Sequence, residues 1–324
     1  MAYTAGDTIT GDQYNIFVNN SSSPFGYNHF AGTGEDEYGL GQTHLATVSG
    51  GSTSITAAQW NALLTAMDNI GNHTNDSLTA RTQVTTGDTI AIKTAVEADL
   101  ASLAAEVAGG STSASGGLST NAIGSSTNAS TFNLLSTLER SVTFANADKM
   151  RHFFNAGGKI RVDPSAVTGI DGDKDTVFSD LTATAIGNLD IGAQATTRSG
   201  SGETLTTNGL DKGFHNLTDS YQTIIKLTSD NSGYTSNTVE IQAKLNAAVG
   251  TATVITIKML TTDAAADTTF DSPNTASPTV PSNPNEAPRM TMAIIEVFPN
   301  DTEGLAAAIQ SASNAEVTNT QTDS

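Results

Sequence analysis

Thr238-Val239-Glu240-Ile241-Gln242-Ala243-Lys244-Leu245 alternates apolar and polar side chains without a break. Successive side chains on a strand point to opposite faces, so this is the signature of a half-buried β-strand. Similar segments lie on either side. Tyr221–Leu227, Ala252–Leu260 and Met290–Phe298 read as strands, as do Ser141–Phe144 and Lys159–Val162. Strands separated by turn residues predict a mainly antiparallel sandwich or jelly-roll-like domain with extended arms. One helix interrupts them. In Asp148–Asn155, Met150, Phe153 and Phe154 share a helical face, and Gly157-Gly158 stops the run.

The first hundred residues read differently. Ile9-Thr10-Gly11-Asp12-Gln13 and Ile55-Thr56-Ala57-Ala58-Gln59 both place Thr at a helix N-cap with Gln three positions on. That is the capping-box pattern, with an isoleucine before each cap placed to act as a staple. After the second cap, Trp60, Leu63, Leu64, Met67 and Ile70 recur at helical spacing, and Gly71 is the expected stop. Asp88–Val107 predicts a third helix. Its stripe of Ile92, Val96, Leu100, Leu103 and Val107 is narrow enough for a coiled-coil seam or for packing within the chain. Ser21–Gly51 is an aromatic loop containing Phe25, Tyr27, Phe30 and the acidic triplet Glu35-Asp36-Glu37. It reads as a partner interface or as a cover for its own core.

The fold class expected is therefore α+β. A helical N-terminal region (1–108) precedes a Gly/Ser/Thr-rich linker (109–130), a β-rich domain (131–299) and a polar tail (300–324). A fragment of residues 131–300 is expected to fold alone. Asp271–Pro288 holds five of the eight prolines and reads as an arm or long loop. Stretches as poor in apolar residues as the linker and tail bury too little surface to order themselves, so they are expected to be held by neighbouring copies.

Composition excludes several functions. With 33 acidic against 14 basic residues the net charge is −19, which repels phosphate backbones, so no direct nucleic-acid partner is expected. The absence of cysteine removes disulfides, thiolate metal sites and a Cys nucleophile. No apolar run approaches the ~20 residues of a membrane span. The first residues, Met1-Ala2-Tyr3-Thr4-Ala5-Gly6-Asp7, do not read as a signal peptide. The 50 threonines suit solvated strand faces.

Signatures of turnover are missing. No Gly-x-Ser-x-Gly elbow, phosphate-binding loop or His-Glu-x-x-His occurs. Gly32-x-Gly34 and Gly39-x-Gly41 lack the third glycine of a dinucleotide loop. His29, His44, His73, His152 and His215 are dispersed and read as surface or interface residues, except His152, which reads as packed beside Phe153-Phe154. No catalytic residue, cofactor or metal site is assigned. The one metal candidate is Asp171-Gly172-Asp173-Lys174-Asp175, whose alternate carboxylates are ligands a calcium ion accepts. Thr176 and Thr182 stand where the calcium-loop pattern needs Gly and Glu, so the segment reads as a solvated turn before Val177-Phe178.

Three stretches together carry a resemblance. They are Ile55–Leu63, Met150-Arg151-His152-Phe153-Phe154-Asn155-Ala156-Gly157-Gly158-Lys159-Ile160-Arg161, and Leu217–Ile224 running on to Asn237–Ile241. This combination resembles virion structural proteins of tailed bacteriophages, of the marine and cyanobacterial myovirus-like type. The resemblance implies a non-enzymatic particle component, assembled in the host cytoplasm from copies of itself and other phage structural proteins. The expected place is the tail or neck apparatus, as a collar, fibre or baseplate-associated protein, with a capsid decoration or head-fibre protein as the alternative. A different class is a host-receptor adhesin that binds surface glycan through Tyr27, Phe30, Tyr38 and Trp60. A depolymerase is the least supported reading.

Overall fold

The computed structural model describes residues 9–32, 37–51, 54–88, 93–108, 117–132, 134–167, 172–264, 287–299 and 313–322. The chain forms two compact units. The first comprises Met1–Ser119, Asp148–Gly158 and Phe298–Gln310; the second comprises Thr120–Ala147, Lys159–Val297 and Ser311–Ser324.

The first unit is helical: α1 (Gly11–Asn19), α2 (Tyr27–Ala31), α3 (Ala57–Thr74), α4 (Lys93–Ala108) and nearly all of α5 (Ala147–Asn155). Both capping boxes form. Thr10 and Thr56 each accept the backbone N–H of the glutamine three residues on, and each glutamine side chain reaches back to the cap N–H. Helix α3 runs one turn past Gly71. Asn75 closes it in the left-handed region at φ 58°, and the Gly71 carbonyl accepts the Asp76 N–H at 2.9 Å. Gly71 instead packs closely against Leu78, where an added Cβ would lie 3.0 Å from that side chain. The α4 stripe is internal packing: Val96, Leu100, Leu103 and Val107 are buried, and α4 contacts α1, α2 and α3. Ile92 lies outside the described residues. Asp88 closes a turn by accepting the Thr85 N–H at 2.7 Å.

Helix α5 ends in a Schellman motif. Gly158 donates to the Phe153 carbonyl at 2.8 Å and Gly157 donates to Phe154 at 3.0 Å. Gly157 sits at φ 96°, and a Cβ on Gly158 would lie 2.5 Å from the Phe153 oxygen, so both glycines are required. The helix is held in its unit by polar bonds. His73 Nε2 meets the Ala156 carbonyl at 2.9 Å, and Asn155 Nδ2 donates to Tyr38 O at 2.8 Å.

The second unit is a sandwich-like pair of sheets. The five-stranded sheet has the order β1 (Leu118–Thr127), β10 (Met290–Pro299), β3 (Lys159–Ala166), β4 (Leu189–Ile191), β5 (Thr196–Arg198). The six-stranded sheet has the order β11 (Ser313–Thr322), β2 (Leu135–Thr143), β9 (Val254–Thr262), β8 (Thr238–Leu245), β7 (Gln222–Thr228), β6 (Thr204–Asn208). Its ladders are antiparallel throughout. In β8, Val239, Ile241, Ala243 and Leu245 are buried, as the alternation requires. Between β3 and β4, helix α6 (Gly172–Ser179) runs into a π-helical segment (Asp180–Ile186) that touches β3 of one sheet and β7 and β8 of the other.

Two expectations are corrected here. The 109–130 stretch expected as a linker contains β1, an edge strand whose side chains are mostly exposed. The polar tail contains β11, paired with β2 of the same chain. In both segments extended Ser/Thr/Asn-rich backbone completes a ladder with strands of the same chain. Of the proline-rich arm, Ala287–Pro288 is described, and Ala287 bridges to Phe132.

Candidate functional site

The sequence-derived calcium candidate is not assembled. Asp171 lies outside the described residues. Asp173 and Asp175 stand on α6, where positions two apart point to nearly opposite sides; Asp173 is exposed and Asp175 is buried. The segment is a helix, not a solvated turn. Lys174 between them is buried and ion-paired to Asp263 at 2.8 Å, fixing α6 to the end of β9. Among the described residues no three His, Asp or Glu side chains are placed to hold a metal ion. No helix among them is long and apolar enough to cross a membrane.

The aromatics proposed for sugar binding are also mostly internal. Tyr27, Phe30 and Trp60 are buried, with Trp60 packed edge-on to Phe17. Tyr38 is half-buried, tilted against Phe25 and His29, which stack on each other at 3.9 Å. The aromatic loop therefore covers its own core. His73, expected at the surface, is buried; His152 is buried as expected. At the C-terminal end of α3, an open polar cleft of about 490 Å³ is lined by Asp68, Asn72, Asp76 and Ser77 among others.

A connected polar network lies on the outward face of the six-stranded sheet. Register builds it. Glu139 of β2 stands opposite Lys258 of β9, Lys258 opposite Gln242 of β8, and Gln242 opposite Thr223 of β7, so one row crosses four strands. In the next row Glu240 stands opposite Lys226. The charges neutralise one another across strands: Lys258 Nζ lies 3.7 Å from Glu139 Oε2 and Lys226 Nζ lies 3.4 Å from Glu240 Oε2. Tyr221 carries Lys258 Nζ at 3.4 Å from its ring centroid and Lys244 Nζ at 4.5 Å, a double cation–π contact.

Burial pushes the Tyr221 hydroxyl well above its ordinary range, and the Glu139 carboxylate beside it adds to the shift. Burial also pushes the Glu240 carboxyl up. Hydrogen bonds from Thr223 Oγ1 (2.6 Å) and Gln242 Nε2 (2.7 Å), with the Lys226 ammonium, outweigh it and hold Glu240 below the usual glutamate range. A general acid needs a carboxyl raised toward the working pH, so Glu240 acts as an acceptor and ion-pair member. The face offers locked donors and acceptors on a sheet surface, whereas small-molecule sites are concave and mostly apolar. Such an arrangement suits contact with another macromolecule.

Sequence reading placed Glu240, Gln242 and Lys244 on one face of their strand but missed Tyr221, Glu139 and Lys258 as their neighbours. The signal was the alternation, and nothing local encodes the register that brings the rows together. Comparison with known protein families, with curated proteins and with solved structures found no match. What fold and site define is a mixed α+β protein whose β-rich unit is a sandwich-like pair of sheets, with polar chemistry spread over a sheet face and along sheet edges.

Proposed function

We propose that this protein is a non-enzymatic structural component of a tailed-bacteriophage particle, a homo-oligomeric block of the tail or neck apparatus acting through protein–protein contacts. The observation that carries the reading is the pair of ten-residue polar strands at sheet edges, β1 and β11. Edge strands present unpaired N–H and C=O groups and template association with other chains. Monomeric proteins blunt such edges with prolines, charges, bulges or short strands, whereas β1 is ten residues long and free of proline and of any charge. The Phe153-Phe154-Asn155-Ala156-Gly157-Gly158 stretch, on which the resemblance to virion proteins chiefly rests, is the Schellman-capped end of α5 and carries no reacting group. The outward face of the six-stranded sheet adds a second contact surface, and repetition around a symmetry axis multiplies modest contacts.

The test is location. Particles of the phage encoding this chain, purified and labelled with an antibody against it, should carry label on the tail or neck. Label over the head would make it a capsid decoration or head-fibre protein. Its absence from purified particles would overturn the reading.

A further inference from the structure

We propose that β11 is an exchangeable strand: in the assembled protein the β11 of one copy pairs with β2 of a second copy, in the register it forms within one chain here. The inference rests on the homo-oligomeric reading above and names the contact that would build the oligomer. Three observations carry it.

The first is the nature of the ladder. Ser313 pairs with Thr143 at one end and Thr322 with Leu135 at the other, with one bulge between Glu316 and Thr318. Backbone hydrogen bonds supply this pairing, and they are the same whichever chain provides the strand. Exchange of an identical element between copies is accordingly a low-cost route to association.

The second is the composition of the strand. Ser313-Asn314-Ala315-Glu316-Val317-Thr318-Asn319-Thr320-Gln321-Thr322 offers only alanine and valine as apolar side chains. Little hydrophobic burial is available to tie it to its own core. Its partner is different. In β2, Leu138 and Val142 are fully buried, and Arg140 is anchored to Ser125 O and Ser126 Oγ of β1, each at 2.6 Å. The acceptor strand is thus built into the sandwich through large buried side chains, a kind of residue the donor sequence lacks.

The third is reach. Residues 300–312 join β10 to β11, and thirteen residues can span up to about 45 Å. Lengthening or redirecting such a connection costs little, because loop-closure entropy grows only slowly with length. Reciprocal exchange would make a dimer; head-to-tail exchange would close a ring or extend a filament.

The chain contains no cysteine, so introduced pairs report cleanly. Thr137 and Thr320 are register partners in the β2–β11 ladder. Full-length Thr137→Cys and Thr320→Cys chains, unfolded together, refolded as a 1:1 mixture and oxidised, should give disulfide-linked pairs of unlike chains, approaching roughly half the material, the limit for random pairing of identical strands. The double variant should likewise give linked multimers. A double variant bonded only within single chains, with no linkage in the mixture, overturns the proposal, and so does absence of bonds in both. As an independent readout, removing residues 313–324 should shift the oligomer to single chains while far-UV circular dichroism stays native-like; an unchanged oligomer overturns the exchange. Light scattering of the unmodified chain separates the two readings. An oligomer without cross-chain bonds defeats the exchange alone, whereas a single chain at every concentration defeats the homo-oligomeric reading as well.

Discussion

Lys174 and Asp263 illustrate how much a single polar contact can decide. Both side chains are almost completely buried, 2% and 1% exposed, and their 2.8 Å ion pair ties α6 to the end of β9. Removing one charge of a buried pair costs more than replacing both with apolar groups, which is often neutral. Lys174→Met should therefore destabilise the protein by about 3–5 kcal/mol, and Lys174→Met with Asp263→Leu should recover most of that loss. Denaturant midpoints of the two variants measure the difference; an equal loss in both would show that packing, not charge, sets the cost. Thr56 is a smaller case. Its side chain satisfies the Gln59 N–H, so Thr56→Ala should cost about 1 kcal/mol by the same measurement.

Glu240 gives a pH dependence with a definite sign. Its folded carboxyl is held below the ordinary value of about 4.3, so it contributes stability that is present above that value and lost as pH falls through the folded one. Denaturant midpoints followed between about pH 6 and pH 3 should decline more gently in Glu240→Gln than in the parent. An identical acid limb in both would remove Glu240 from the account.

At the scale of elements, the α4 stripe separates two readings that the sequence left open. Val96, Leu100, Leu103 and Val107 are buried by contact with α1, α2 and α3. Leu103→Ala should therefore destabilise the fold of the single chain by about 2–5 kcal/mol. If it altered only the oligomeric state and left the unfolding midpoint of the single chain in place, the stripe would be an intersubunit seam.

Legibility follows the same physics. Strands β7, β8, β9 and β10 were visible because one face is buried and the other is not, which writes a period of two into the sequence. The capping boxes of α1 and α3 were visible because the cap is a local event within four residues. The end of α3 lies beyond the expected stop because Gly71 stays in the helix, packed near Leu78, and Asn75 does the capping. Helix α6 and the π-helical segment were missed for another reason. Asp, Gly and Thr favour turns and strands locally, and tertiary burial of Val177, Phe178, Leu181, Ala185 and Ile186 overrides them. The strands β1 and β11 carry almost no apolar pattern. They exist through backbone pairing with partners distant in sequence, a signal that no local window contains. The outward sheet face was half legible: alternation supplied its composition, and register supplied its neighbours.

At the scale of the whole molecule, the division of the chain matters most. The sequence placed one boundary near residue 130, yet Asp148–Gly158 from the middle of the chain belongs with the first unit. The fragment 131–300, expected from sequence to fold alone, would keep α5, with Met150, Phe153 and Phe154 separated from the rest of that unit, and would lose both β1 and β11. It should aggregate when expressed alone. A monodisperse fragment with native-like circular dichroism would contradict the division into units. With a net charge of −19 single chains repel one another, so the proposed self-association should strengthen as salt screens that repulsion.

The central claim is that this chain works by assembling with itself, and sedimentation velocity of the purified full-length protein over a wide concentration range at moderate salt tests it most directly. The account predicts a discrete multiple of the chain mass whose population grows with concentration. A single species at the mass of one chain across the whole range would contradict it.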